Sequence, residues 1–419
     1  LLSCDGGVAG FYRKLLPVLL VSLWVVGRPA VAASSELSLA EALRQAQDNS
    51  PTLSAASRLV DISLGERQQA GLLPNPELSW EVEDTRSNTR TTTTQITQPI
   101  ELGGKRGARI ELAEKGQSAA SVELERSQNE LRADVIQSFY DNLQARMRVE
   151  LAEQSLALAE RGVQGAEGRV KAGKVSPVEL TRAQVQLSEV RLELRRAQRD
   201  QARAHSRLQA VIGGNADIRV VGSATSIPEP PTVNQLWSAL ETTAEMRLAR
   251  LSVDQQEASF ELEKTQRIPD LNVSLGSQYS AEDRERVNVV GLSMPIPLFN
   301  RNQGNILSAA RRADQARDLR NATELRLRAD VEQAMDQWVV AKEEINSFDQ
   351  TILPSAKSAV DSATRGFEMG KFAFLDVLDA QRTLIGARTQ YVDALASATA
   401  AWVQLERVYG DVSAIPAAR

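Results

Sequence analysis

In the stretch "KFAFLDVLDAQ", two carboxylates, Asp376 and Asp379, stand three residues apart. On a helix that spacing puts both on one flank, where they repel one another and attract cations, as acidic rings do in channels. An ordinary solvated helix face would carry the same pair. No competing chemistry is visible elsewhere. His205 is the sole histidine and falls in a helical stretch, where packing or surface exposure is its ordinary role. No Ser-His-Asp set, metal-ligand cluster or cofactor motif occurs, so catalysis, resident metals and cofactors find no support. "GGKRG" (103–107) lacks both the spacing of a phosphate loop and the Ser or Thr that should follow its lysine.

The elements that must position these carboxylates follow from composition. The chain has 419 residues, a net charge of −5 and only 4% aromatics, which argues against nucleic-acid binding. Abundant Ala, Leu, Gln, Arg and Glu suit long helices with a narrow apolar seam. Arg13 and Lys14, the apolar run "LLPVLLVSLWVV" (15–26) and the Ala30-x-Ala32 pattern read as a secretory signal peptide over 1–32. Residues 1–12 read as an extension ahead of its start. Cys4, the only cysteine, precedes the apolar run, so it does not fit a lipid-anchor site.

Behind the signal the sequence repeats itself. "QPIELGGKR" holds Pro99, and "PIPLFNRNQGNI" begins at Pro295, 196 residues later. "LPNPELS" matches "IPDLNVS" at a shift of 195, and Asp134-Val135-x-Gln137 matches Asp330-Val331-x-Gln333 at 196. "AGKVSPVELTRAQVQL" matches "MGKFAFLDVLDAQRTL" at 197. Four anchors with so little drift indicate a tandem duplication. The expected organisation is repeat one over 33–213, a Pro- and Gly-rich linker over 214–233, repeat two over 234–411 and a C-terminal tail over 412–419.

Each repeat has one internal order. A helix (about 39–72 and 234–266) leads into a strand hairpin, 76–100 in the first copy and 269–298 in the second. Leu78, Trp80 and Val82 alternate with Glu77, Ser79, Glu81 and Glu83, the period of a strand wet on one face only. Prolines close the returning strands. Lys105, Arg106 and Arg301 fall where a strand would leave a membrane, a position for snorkelling cations. Helices of roughly 65 residues, about 100 Å long, follow over 105–171 and 303–369, the second kinked or broken by Pro354. Each turns at Gly-Lys and returns as a coiled-coil helix, with Leu180, Ala183, Leu187 and Val190 in one copy and Val377, Ala380, Leu384 and Ala387 in the other on a heptad seam. Asp376 and Asp379 lie off that seam.

Four amphipathic strands cannot close a membrane barrel, of which the smallest have about eight, and an open edge in lipid is prohibitive. Several copies must therefore pool their strands, and export plus barrel strands points to a Gram-negative outer membrane. With its "QPIELGGKR" and "PIPLFNRNQGNI" stretches, the chain resembles the TolC family of outer-membrane efflux channels over essentially all of its mature length. Within that family it resembles the subunits of cobalt–zinc–cadmium type heavy-metal efflux systems.

The resemblance implies a mainly α fold with a small membrane β-barrel. Each protomer of a homotrimer would supply four strands to a twelve-stranded barrel, continued by a long helical tunnel into the periplasm. It implies a periplasmic adaptor and an inner-membrane RND pump as partners, with outer-membrane lipid around the barrel. Asp376 and Asp379 match the family's aspartate ring that narrows the tunnel. Phe367 and Phe372 stand where the family has a polar Tyr and Arg, so an apolar plug is expected instead. Gly173, Lys174, Val175 and Ser176, with Gly370, Lys371, Phe372 and Ala373, form the tip turns expected to touch the adaptor. A type I protein-secretion or drug-efflux channel would share the fold. A soluble periplasmic coiled-coil scaffold is the alternative of another class.

Overall fold

The computed structural model describes residues 35–214 and 218–415; the signal peptide expected at 1–32 lies outside the described residues. Strand β1 (Ser35–Leu37) leads into α1 (Leu39–Asn49) and α2 (Pro51–Ala70). One helix over 39–72 was the expectation, and Pro51 divides it. Its ring cannot donate to a preceding turn, so it opens a new helix at the first position, capped by Ser50, whose Oγ accepts from the Leu53 amide at 3.3 Å. Strands β2 (Glu77–Glu83) and β3 (Thr91–Ile100) form the first hairpin. In its turn Asp84 accepts bonds from the Arg86 side chain, the Thr89 hydroxyl and the Arg86 amide, which pull its carboxyl down to about 2.

The long helix α3 (Lys105–Lys171) and its return α4 (Pro177–Ile212) complete the first repeat. The segment read as a linker contributes β4 (Ile218–Val220), which pairs in parallel with β1. The helix expected at 234–266 is also divided, into α5 (Val233–Ala239) and α6 (Ala244–Thr265), with the Thr243 hydroxyl capping the second at the Met246 amide. Then come β5 (Leu271–Ser280), β6 (Glu285–Ser293), α7 (Gln303–Ser347), a π-helical turn (Phe348–Ile352), α8 (Leu353–Glu368) and α9 (Phe374–Tyr409). Pro295 stands just past β6 rather than inside it, whereas Pro99 is the penultimate residue of β3.

At Pro354 the regular α-helix is interrupted but the chain continues helically: α7 stops at Ser347 and α8 begins at Leu353, with Pro354 in its first turn. The turn before it widens to π geometry, the Leu353 amide reaching back to the Phe348 carbonyl. A π turn houses one extra residue in a helix. The shift between repeats grows from 196 at Asp330 to 197 at Gly370, and this turn lies in that interval. The inserted residue also moves the buried positions from Phe348 to Ala356, Val360 and Ala363, which keeps the seam facing α9.

The strands join in the order β2-β3-β5-β6, all antiparallel. The register aligns Leu78, Ile96, Leu275 and Val290 in one row across the sheet. That face is open: Trp80 is 70% exposed and Val290 71%. Ser79, Glu81, Thr93, Gln95 and Gln278 occupy the other face, so pleating alone separates an apolar surface from a polar one. The helices continue the order of the strands. Nearest the sheet α2, α3, α6 and α7 lie side by side, and farther away α4, α3, α9 and α7–α8 do.

The main core sits midway along the molecule, where Phe139 of α3, Leu208 of α4, Leu236 of α5, Met246 of α6, Leu327 of α7 and Leu405 of α9 converge. The β1–β4 pair closes it through Leu37 and Val220. Val412 is also buried there and Ile415 packs against the cluster, so these two residues anchor the described start of the expected tail, 412–415, to the core.

Candidate functional site

Two hairpin tips end the molecule opposite the sheet. Helix α3 stops because Gly173 adopts φ 65°, with its amide bonded to the Val170 carbonyl at 2.9 Å and the Lys174 amide to the Arg169 carbonyl at 2.9 Å. Gly370 repeats this at φ 76°, its amide on the Phe367 carbonyl and the Lys371 amide on the Gly366 carbonyl. A glycine in the left-handed region closes both helices without steric cost. The Gly-Lys pairs of the two repeats thus mark one backbone motif.

The returning helices begin differently. Ser176 caps α4, its Oγ accepting from the Val178 amide. Ala373 takes that place before α9 and carries no oxygen, so the Asp376 carboxylate reaches back and accepts from the Ala373 amide at 2.9 Å. Asp376 therefore has a local structural task as well as a charge, and a carboxylate in the first turn suits the helix dipole. Asp379, one turn on, is exposed, as is Asp376.

Between the tips lies a small apolar cluster of Ala166, Ala183, Ala363, Phe367, Phe374 and Val377, one or more from each of α3, α4, α8 and α9. Phe367 and Phe374 meet with ring centroids 5.3 Å apart. Phe367 is only 4% exposed, so its ring packs within its own protomer and is not presented as a plug. Phe372 is 48% exposed and folds onto Gly366, where an added Cβ would stand 2.2 Å from its ring. Of the two phenylalanines expected to plug a tunnel, only Phe372 is accessible.

Arg169 was not singled out from the sequence, yet it spans the two hairpins. Its Nη1 donates to the Phe367 carbonyl oxygen and its guanidinium covers the Phe367 ring. Its local surroundings resemble those of any basic residue ending a helix, and its partner lies 198 residues away.

At the other end of the helices the basic turns serve as joints. Lys105 donates to Asp270 at 2.7 Å with only 13% of its side chain exposed, and Arg106 donates to the Gly71 carbonyl at 2.7 Å. Glu101 pairs with Arg109. Lys105 and Arg106 are thus committed to protein partners rather than free to snorkel, because the strand-to-helix bend brings acceptors from the second repeat and from α2 within reach. Arg301 is exposed. His205 is half-buried on α4. Among the described residues no group of three or more His, Cys, Asp or Glu is arranged to hold a metal ion, and no helix is long and apolar enough to cross a membrane.

Comparison with known proteins agrees with this geometry. The outer membrane efflux protein family matches over residues 42–214 and 236–411, one segment per repeat. The cobalt-zinc-cadmium resistance protein CzcC of Cupriavidus metallidurans is 40% identical over 381 residues, covering 90% of this chain and 91% of that protein. The nickel-cobalt-cadmium resistance protein NccC of Alcaligenes xylosoxydans xylosoxydans is 26% identical, covering 72% and 70%. Among solved structures, CusC superposes with a TM-score of 0.76 at 17% identity, over 96% of this chain and 99% of that one. VceC of Vibrio cholerae gives 0.72 at 20% identity, over 88% and 94%. The chain belongs to the outer membrane efflux protein family and is an outer-membrane efflux channel subunit with an internally duplicated, TolC-like fold.

Proposed function

We propose that three copies form one conduit that carries divalent heavy-metal cations from the periplasm to the exterior, downstream of a periplasmic adaptor and an inner-membrane RND pump. The observation that carries the assembly is the sheet. It exposes an apolar face, yet β2 and β6 each leave an edge unpaired. Lipid offers no hydrogen bonds to such edges, so they must pair with further copies. The cargo rests on the relatives, whose names give cobalt, zinc, cadmium and nickel resistance. Metal selection belongs to the pump, and passage through this subunit is passive.

Asp376 and Asp379 are proposed as the constriction, six carboxylates about one axis, with Phe372 as the apolar element beside them. Gly173, Lys174, Val175, Ser176, Gly370, Lys371, Phe372 and Ala373 form the adaptor-docking tips. The test is conductance of purified protein in planar bilayers, wild type beside Asp376→Asn/Asp379→Asn. Asparagine keeps an oxygen for the Ala373 amide while removing the charge, so the cap survives. Cation-preferring openings with a divalent block that the variant lacks are expected. Openings identical in both proteins would discard the acidic ring and keep the channel. Folded trimers without conductance even after tip substitutions would overturn the conduit.

A further inference from the structure

A cavity of about 600 Å³ opens between α4 and α9 over the part of α3 from Arg148 to Ser155, between the main core and the tip cluster. Small-molecule pockets have this size, about 300–1,000 Å³. Part of its lining is apolar, with Leu151 of α3, Val190 of α4 and Ile385 of α9. Gly386 also borders it, inside α9, where an added Cβ would meet no atom within 4 Å. Packing therefore does not require a glycine there, and glycine weakens a helix interior relative to alanine. Its effect is to leave the hollow open.

Of the seven charged side chains that line this hollow, six have a counter-charge within the protomer. Arg148 meets Asp393 at 2.8 Å and Arg382 meets Glu189 at 4.0 Å. Glu193 has Arg196 at 3.9 Å, and Asp200 has Arg203 at 3.2 Å. Arg388 is the seventh, and it has neither an ion pair nor a hydrogen bond among the described residues. Its side chain is half-buried. Burial pushes its guanidinium below the usual arginine range, and no neighbouring carboxylate offsets this. A cation withdrawn from water without a counter-charge is destabilising, yet all four carboxylates around the hollow turn to other arginines.

We propose that this hollow binds an amphipathic monocarboxylate, its carboxylate held by Arg388 and its apolar body lying against Leu151, Val190 and Ile385. A planar guanidinium matches a carboxylate through two parallel N–H bonds. Glu189 and Glu193 on the α4 wall repel a second negative charge, so one carboxylate is favoured over two. A neutral molecule would leave Arg388 unpaired. The site is complete within one protomer and does not depend on the cargo of the channel. Helix α4 belongs to the first hairpin and α9 to the second, and they meet through Arg382 and Gln186 at 3.3 Å. A ligand seated between them restrains one hairpin against the other and stabilises that arrangement.

The test titrates benzoate calorimetrically into the purified full chain in detergent, beside benzyl alcohol as a neutral counterpart and succinate as a dicarboxylate. One benzoate per protomer is expected, with a dissociation constant of about 1 mM or tighter. Binding should be about tenfold weaker for either control ligand, and for benzoate in Arg388→Gln. Gly386→Leu fills the hollow and keeps the charge, so it should abolish binding while conductance stays at the wild-type level. Benzoate bound equally by wild type and Arg388→Gln, or no tighter than benzyl alcohol, would overturn the proposal. Binding that survives Gly386→Leu would put the probe elsewhere and overturn it too. If wild type ignores benzoate while Arg388→Gln loses capture of the periplasmic adaptor, the counter-charge is a protein carboxylate and the small-molecule site is discarded. If Arg388→Gln fails to fold, Gly386→Leu and the two control ligands carry the same decision.

Discussion

The guanidinium of Arg169 lies 4.2 Å from the centroid of the Phe367 ring, and its Nη1 donates to the Phe367 carbonyl oxygen at 2.6 Å. The end of the first hairpin thus grips both the ring and the backbone of the second. A charged hydrogen bond and a cation–π contact together contribute about 2 kcal/mol at a half-buried site. Arg169→Ala should therefore loosen the tips, read as faster amide exchange near Ala166 and Ala363 with the mid-molecule core unchanged. Equal exchange in both proteins would show that aromatic packing alone joins the hairpins.

Phe374 and Phe372 lie two residues apart and should respond very differently to truncation. Phe374 is buried against Phe367, so Phe374→Ala opens a cavity and should cost about 3–5 kcal/mol locally. Phe372→Ala removes a half-exposed ring and should cost less than about 1 kcal/mol. Limited proteolysis of the tips at graded urea concentrations separates the two. Similar cleavage midpoints would contradict the burial pattern.

Glu406 gives a pH dependence. It is buried, with one oxygen paired to Arg132 at 2.6 Å and the other meeting no hydrogen-bond criterion among the described residues. Burial pushes its carboxyl above the usual carboxylate range despite the arginine. The folded protein then holds this proton more firmly than the unfolded chain. Its stabilising contribution is present below the ordinary carboxylate value and is lost as pH rises through the folded one. Glu406→Gln should flatten that decline, measured as melting temperature between pH 4 and 8. A variant that retains the wild-type slope would assign it to other groups.

The π turn predicts an unusual tolerance. Deleting Gln350 together with Pro354→Ala should leave a continuous α-helix with both seams in register. Deleting Arg328 from regular helix should instead rotate one part of the α7 seam by about 100° against the other and prevent assembly. Outer-membrane yield of folded trimer checks both. If both deletions fail alike, the turn is not the residue that separates the repeats.

Much of this was legible in the residues. Leu78, Trp80 and Val82 face one way because strand pleating has a period of two, whatever surrounds them. Gly173 and Gly370 end their helices because only glycine takes that backbone angle freely. Pro51 and Thr243 were also readable as local caps, yet the helical periodicity on either side outweighed them.

Other features had no local signature. Lys105 looked like an interfacial cation until the bend brought Asp270 beside it. Phe367 looked accessible until four helices closed around it, and β1 and β4 were invisible because three-residue strands exist only through each other. Periodicity and backbone angles are properties of neighbours in sequence, so the chain by itself determined its hairpin strands, its long helices, its duplication and its tip turns. Burial and pairing depend on groups as far apart as Arg169 and Phe367, so only the tertiary structure decided which charges are committed, which rings are sheltered and which edges remain to be filled.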